Sequence, residues 1–413
     1  MINSTSPSNT SKRKLVVFLC AMTLAELSRT MTAVQVPVYL RELGADIGQI
    51  GLFFTISLVF PLLLRIFGGW LSDTIGRLRA LVIGSAAGAI TYAVYAYAPS
   101  WQIALPGPAF LACATALIYP SYKAYVADLT NDTNRGRFFG ITDSVIRFAW
   151  VVGPPLGGAI GQMLGYRTMF LAAFGSFAIA TLLFLSLTRK SSLPVPTSMI
   201  NWPSLKTSFL EMGTLILAGG LVTWILIVDG IRDIAFKLSF DLMPVYLSDI
   251  AGISKTDIGI LDGLFGLAIV LSTFPAGILV DKISERFGVM LGLIFMILSR
   301  LVFAFSNAFG GFALSWILLG IGGGLLDPAG SSLIARGVPR HLRGIAYGLV
   351  ATSLGIFSLP APWIGSRIWE AVDPRAPFLL TVFLGLLAIV PAWKKLVIPG
   401  KQAVPPPSAT PTS

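Results

Sequence analysis

The chain has 413 residues, 55% of them hydrophobic and 12% charged, with a net charge of +11. A soluble domain carries roughly a quarter charged residues, so this composition, with a mean hydropathy of +0.80, excludes a soluble enzyme, a disordered chain and a fibrous protein. In a soluble protein the basic excess would suggest nucleic acid. In a membrane protein it follows from the bias of Lys and Arg toward cytoplasmic loops, and no nucleic-acid partner is expected.

Residues 1–14 form a polar tail ending in Lys12-Arg13-Lys14. A signal peptide can look like this, but here the apolar stretch runs on past Glu26 and Arg29 to Leu40. Apolar segments at about 15–40, 48–71, 79–98, 101–127, 137–164 and 166–188 predict six helices, because backbone in a bilayer core must pair with itself. A polar linker at 189–211, with Arg189, Lys190 and Lys206, separates them from a second set at about 213–247, 256–280, 287–306, 309–335, 343–370 and 376–393. The expected organisation is therefore a 15–188 bundle, a 189–211 cytoplasmic linker and a 212–395 bundle. A Pro/Ser/Thr-rich tail at 396–413 is expected to be disordered. Twelve spans of about 20 residues account for the apolar excess.

Eighteen of the 30 basic residues fall in loops on the side of the termini, and only Arg41, Arg167, Lys255 and Arg375 on the other. This bias predicts both termini in the cytoplasm of a multi-pass protein of the cell (inner) membrane. Cys20 and Cys113 lie in apolar runs and make no disulfide framework. With His341 as the lone histidine, no zinc site is expected. Neither HExxH nor GxxxxGK[ST] occurs. No metal, cofactor or enzymatic activity is expected.

An internal repeat decides the architecture. Pro37-Val38-Tyr39-Leu40 recurs 207 residues on as Pro244-Val245-Tyr246-Leu247. At an offset of 208, Gly69-x-Leu71-x-Asp73 meets Gly277-x-Leu279-x-Asp281, and Arg135-Gly136, Pro154, Gly157 and Phe170 meet Arg343-Gly344, Pro362, Gly365 and Phe378. The offset predicts an all-α membrane protein of two parallel, pseudo-symmetric six-helix bundles, with a substrate site between them near the midplane and access alternating by rocking.

The run Gly69-Trp70-Leu71-Ser72-Asp73-Thr74-Ile75-Gly76-Arg77-Leu78-Arg79 resembles the loop 2–3 signature of the major facilitator superfamily, with Thr74 in place of the usual basic residue. Gly153-Pro154-Pro155-Leu156-Gly157-Gly158 is similar to the GPxxGG motif of that family's 12-helix drug/proton antiporter branch. A further antiporter signature has an Arg in span four where this chain has Pro108. The resemblance implies a cytoplasmic gate in which Asp73 latches the halves, with Gly69, Gly76, Arg77, Asp128, Arg135 and Asp281 in the same cluster. Plain topology signalling by Arg77 and Arg79 is the alternative. For Gly153, Pro154, Gly157 and Gly158, a helix bend that seals the path between halves stands beside ordinary small-residue packing.

Ionisable residues inside spans are costly in lipid and so face a cavity or a partner. Glu26 and Arg29 are three residues apart, Asp143 and Arg147 four, and Asp229, Asp233, Lys237 and Asp241 step by four. Such pairs can satisfy one another along a helix. Glu26 and Asp233 precede Pro37 and Pro244 by eleven residues, so they are equivalent positions of the two repeats. Proton coupling is expected at Glu26, Asp143, Asp229, Asp233 or Asp327, because a desolvated carboxylate beside a moving cation has a tunable pKa. Arg29, Tyr119, Tyr122, Lys123, Arg147, Trp150, Arg232 and Asp262 are expected to line the substrate cavity. Structural ion pairs and aromatic packing are the alternatives for each.

The expected function is secondary active transport by alternating access. The favoured form is proton-coupled efflux of a small organic or amphiphilic solute by a monomer in the lipid bilayer. The alternatives are a transporter or flippase of an anionic substrate, a uniporter, and a receptor or scaffold that does not transport.

Overall fold

The computed structural model describes residues 9–130, 135–188, 210, 213–214, 219–338, 343, 346–347 and 355–397, with their side chains except those of 9–12, 65–74 and 129. Nearly all of the 189–211 linker, and the tails at 1–8 and 398–413, lie outside the described residues. The described residues form helices and no strand. The first half contains α1 (Asn9–Ala33), α2 (Val36–Glu42), α3 (Ile47–Ile75), α4 (Arg77–Tyr97), a short α5 (Trp101–Ala104), α6 (Pro106–Leu129) and α7 (Arg135–Thr188). The second contains α8 (Leu221–Ser239), a 3-10 turn (Phe240–Leu242), α9 (Met243–Asp249), α10 (Lys255–Lys282), α11 (Glu285–Phe305), α12 (Phe309–Gly337), α13 (Ala361–Ala371) and α14 (Ala376–Lys395).

Among the described residues, nine helices are long and apolar enough to cross a membrane. One of them, α7, holds two spans, because Gly165 takes a non-helical φ of 82° and ψ of 162°, a conformation that a Cβ would disfavour. The seventh span is divided between α8 and α9 by the 3-10 turn, and the eleventh includes α13, which completes twelve.

The repeat governs local geometry. Pro37 and Pro244 sit in the first turns of α2 and α9, where a residue without an N–H can start a helix but not continue the one before it. Asp46 caps α3 by accepting from Gln49 N at 2.7 Å, and Ser254, 208 residues on, caps α10 by accepting from Asp257 N at 3.1 Å. Tyr39, Tyr95 and Phe170 form an aromatic triad with ring centroids 4.8–6.4 Å apart. Their equivalents Tyr246, Phe303 and Phe378 form the same triad at 4.5–5.5 Å. Each such pair contributes about 0.5–1.5 kcal/mol beyond area burial.

Within the first half, α1 packs on α7, and α4 on α6 and α7; within the second, α10 and α11 pack on α12, and α14 on α11 and α8. Two seams join the halves, α7 with α10 and α3 with α13, and the pseudo-twofold relates one to the other. With no hydrophobic force between helices in lipid, close backbone approach does the work. At Gly157 a Cβ would collide with the carbonyl of Met31 on α1, and at Gly158 with that of Lys255 on α10. On the facing side, Gly259, Gly263 and Gly266 admit the carbonyls of Pro154, Val151 and Trp150. The GPPLGG segment is thus a two-sided packing seam, and α7 runs on as helix through Pro154 and Pro155, its break coming at Gly165.

Gly157→Leu should lower the melting temperature in detergent by several degrees or abolish folded yield, since overpacking costs about 1–3 kcal/mol. Gly175→Ala, where a Cβ meets open space, should leave it unchanged or slightly raised, and a thermal-shift comparison of the two checks the seam.

Candidate functional site

The halves close on one another on the side away from the termini. Arg41 Nε meets Asp249 Oδ2 at 2.7 Å, and Lys255 Nζ meets Glu42 Oε1 at 2.5 Å. Lys255 is the hub of this closure. Its ammonium lies over the Tyr166 ring at 4.1 Å, its carbonyl accepts from Gln35 Nε2 at 3.0 Å, and its N–H donates to Gln162 Oε1 at 3.2 Å. At the other seam Gly48 N donates to Glu370 Oε1 at 2.7 Å, and Trp363 N to Thr55 Oγ1 at 3.1 Å.

Toward the termini the described ion pairs stay within one half. Arg77 pairs with Asp128, while Arg336 pairs with Asp281 at 2.5 Å and Glu285 at 2.8 Å. Arg77 and Asp128 are the repeat equivalents of Glu285 and Arg336, so the pair is kept with its polarity reversed. Gly76 joins α3 to α4 with φ 88°, which explains the glycine there. Arg135 opens α7 and is itself engaged. The side chains of Gly69 and Asp73 lie outside the described residues. The described ion pairs on this side lie inside each half, while the bundles are joined on the opposite side; the latch expected of Asp73 falls outside the described residues.

Between the bundles lies a chamber of about 600 Å³. Its wall is largely aromatic and Pro-rich, with Phe53, Phe54, Tyr92, Tyr95 and Trp150 from the first half and Phe240 and Phe265 from the second. Its charges are Arg29 from the first half and Lys237, Asp241 and Asp262 from the second. The Trp150 Nε1 donor is buried without a partner among the described residues. A second chamber of about 590 Å³ shares Pro61, Ala112, Thr115 and Lys237 with the first and adds Tyr119 and Asp233. Its lining residues lie nearer the terminal ends of α3, α6 and α8, so the cavity continues toward that side.

The strongest cluster sits at the edge of these chambers. Glu26 Oε2 accepts from Arg29 Nε at 3.0 Å and lies 2.9 Å from the second guanidinium nitrogen. Glu26 Oε1 accepts from Tyr119 OH at 2.7 Å. Glu26 is 4% exposed, so breaking this pair from one side should cost about 3–5 kcal/mol. Through Tyr119, Glu26 and its repeat equivalent Asp233 border one cavity.

A further tier of charges lies closer to the terminal side. Arg232 pairs with Asp229 at 3.3 Å, and Asp327 feels both Arg232 and Arg147 of the opposite half. Asp143 accepts from Tyr122 OH at 3.4 Å and makes no ion pair with Arg147, although the two are one turn apart. Lys123 is exposed one turn along α6 from Tyr119. Of the four residues expected to step along span seven, Asp229, Asp233 and Lys237 share α8, while the helix ends at Ser239 and Asp241 belongs to the 3-10 turn.

Sequence reasoning noted Lys237 and Asp241 as span charges but did not place them in the cavity, and it missed Gln35, Glu42, Asp249 and Lys255. Arg41 and Asp249 carried a signal: they stand 208 residues apart, the repeat offset, with opposite charge.

Two duplicated bundles, joined on one side and enclosing an ionisable, aromatic cavity, define a multi-pass membrane transporter of the alternating-access class. The family model described as Major Facilitator Superfamily matches residues 18–230 and 225–412, and the chain belongs to that superfamily. The chain is 22% identical over 366 residues to the quinolone resistance protein NorA of Staphylococcus aureus, covering 86% of this chain and 89% of NorA. It is 25% identical over 372 residues to a multi-drug resistance efflux pump PmrA homolog of Lactococcus lactis, covering 86% and 87%. Among solved structures it resembles a bacterial homologue of the iron transporter ferroportin (TM-score 0.76, 17% identity, 93% of this chain and 99% of that one). It also resembles a bacterial homolog of the lysosomal transporter Spinster (TM-score 0.74, 15% identity, 95% and 98%). Both were solved inward-facing.

Partly exposed ion pairs contribute up to about 1 kcal/mol each. Arg41→Ala or Lys255→Ala alone should therefore shift the conformer balance toward opening on the far side by up to about five-fold, and the double variant further. Spin-label distances across that side, in a Cys20→Ser, Cys113→Ser background, measure the shift.

Proposed function

We propose that this protein exports small amphiphilic organic compounds from the cytoplasm in exchange for protons. The reading is carried by one observation: the chamber between the halves holds acids, bases and aromatic rings together, and intramembrane charge is retained where it binds or moves something. Support comes from the relatives named above, which are a quinolone resistance protein and a multidrug efflux pump. The basic loops on the terminal side support an orientation with both termini in the cytoplasm. In that orientation the conformer described is inward-facing, with Lys255, Arg41 and Glu370 closing the outer side. The protein acts as a monomer, since each chain carries both halves of its site.

Against the anionic alternative stands the pairing of Arg29 with Glu26, which leaves that cation no free charge to offer. Binding of an amphiphile would draw on the aromatic wall, protonation would set which conformer is favoured, and the halves would rock about the two glycine seams.

The test is flux in proteoliposomes under an imposed proton gradient, with a panel of fluorescent amphiphiles. Wild type should concentrate substrate against its gradient. Asp233→Asn should lower gradient-driven flux at least ten-fold. Glu26→Gln, which strips Arg29 of its counter-ion, should weaken both binding and flux. If both variants remain fully coupled, the assignment of these carboxylates is wrong. A wild type without gradient-dependent flux across the panel overturns the exchange itself.

A further inference from the structure

Arg300 on α11 lies inside the second bundle, away from the chamber lining. It is 0% exposed, whereas the span cations Arg29, Arg147, Arg232 and Lys237 are partly exposed. Each of those four acts on a carboxylate: Glu26, Asp327, Asp229 and Asp241 in turn. Among the described residues no carboxylate acts on Arg300.

A guanidinium offers five N–H donors and keeps its charge at any pH the protein meets. Arg300 Nε donates to Ser239 Oγ at 3.1 Å, and Nη1 to Ser299 Oγ at 3.4 Å. Nη2 is buried with no hydrogen-bond partner among the described residues. The Phe236 ring centroid is 5.9 Å from Cζ. Neutral hydroxyls and one ring do not offset a whole charge. The C-terminal end of α8, at Ser239, supplies at most about half of one. An unpaired buried charge is strongly destabilising, and an orphaned buried donor calls for an ion or a water. Water would satisfy the donor and leave the charge. An anion answers both.

The two repeats differ at this place in a consistent way. Arg300 stands where the first half has Tyr92, Ser315 where it has Gly107, and Thr381 where it has Ala173. Ser239 and Ser299 keep the hydroxyls of Thr32 and Thr91. Hydroxyls are therefore retained or gained around the guanidinium, and no acid is. They are linked in pairs: Thr381 Oγ1 lies 3.0 Å from Ser239 Oγ, and Ser315 Oγ 3.2 Å from Ser299 Oγ. All four residues are buried. Phe236 stacks on Phe240 with centroids 4.4 Å apart, and Phe240 lines the chamber. The chamber is thus within two rings of the guanidinium, a short way in for a small ion.

We propose that Arg300 Nη2 holds a small monovalent anion of the chloride class inside the second bundle. One such ion balances one guanidinium. The enclosure by buried side chains excludes phosphate and carboxylic acids, which are larger. The ion is a resident part of the fold and is not carried across the membrane. The proposal goes beyond the efflux reading and does not depend on it, since binding is measured without transport.

The probe is chloride itself, titrated into the purified full chain in detergent at constant ionic strength with gluconate as the replacement anion. The melting temperature of wild type should rise with chloride and level off, as binding to the folded state requires. The chlorine-35 NMR line should broaden with wild type, and bromide should reverse the broadening by competition. Arg300→Tyr, which installs the first-half residue, should abolish both effects. Arg300→Lys, which keeps the charge but not the fork, should bind more weakly. In crystals grown with bromide, the anomalous signal should lie within hydrogen-bond distance of Nη2.

Equal stability in chloride and gluconate, with no line broadening, overturns the proposal from wild type alone. Undiminished chloride binding in Arg300→Tyr overturns it as well. If Arg300→Tyr does not fold, the bromide position decides: a signal away from Nη2 overturns the site, and one at Nη2 upholds it.

Discussion

An ionised side chain in the middle of a bilayer has to be paired or hydrated, and the interior of this protein is organised around that requirement. The Glu26–Arg29–Tyr119 cluster meets it within one half: two oxygens receive donors from a guanidinium and a phenol at 2.7–3.0 Å. Once Glu26 is satisfied locally, the charges in the chamber that look across the midplane come chiefly from the second half. The asymmetry between an internally neutralised wall and a charged facing wall makes the cavity responsive to what enters it.

The same need for close contact explains the seams. Helices in lipid gain little from burying apolar surface, so they hold together through backbone approach and polar contacts. Glycines on both α7 and α10 let carbonyl groups sit where a Cβ would otherwise stand. Gly153 and Gly157 serve α1 while Gly158 serves α10, so one short motif ties its own bundle together and provides a surface against the other. Two such seams, related by pseudo-symmetry, leave the bundles free to part on one side while they remain joined on the other. Lys255 closes the joined side through its ammonium, its amide and its carbonyl at once, which concentrates the closure energy in a few separable contacts.

Duplication carries over into detail and also shows where the copies have diverged. The Tyr39 and Tyr246 triads have kept position and aromatic packing, although Tyr95 has become Phe303 and the hydroxyls have parted: Tyr39 OH donates to the Tyr95 carbonyl, while Tyr246 OH accepts from Arg375 Nε. The Arg77–Asp128 pair has kept position and exchanged sign with Glu285–Arg336, since an ion pair is indifferent to which partner is positive. Arg29 has become Phe236 in the second copy, and Tyr92 has become Arg300. Divergence at the chamber wall and its backing is what gives the two halves different charge.

Much of the fold was legible in the chain itself. Span length, the absence of any viable backbone in lipid other than helix, and a nearly constant offset of 207–208 residues determine two six-helix bundles. The boundary at Gly165 emerged within a residue. Which ionisable groups share a cavity was not legible, because helix rotation and the crossing of α7 on α10 are settled by packing between segments far apart in sequence. Spacing alone suggested Asp143 with Arg147 and a ladder down span seven. Tertiary structure instead gave Asp143 to Tyr122 and turned Asp241 into the chamber by ending α8 early. Local sequence therefore determined the helices and their duplication, through solvation cost and periodicity. Only the packed structure decided which charges meet, since that depends on distances between residues the chain does not itself bring together.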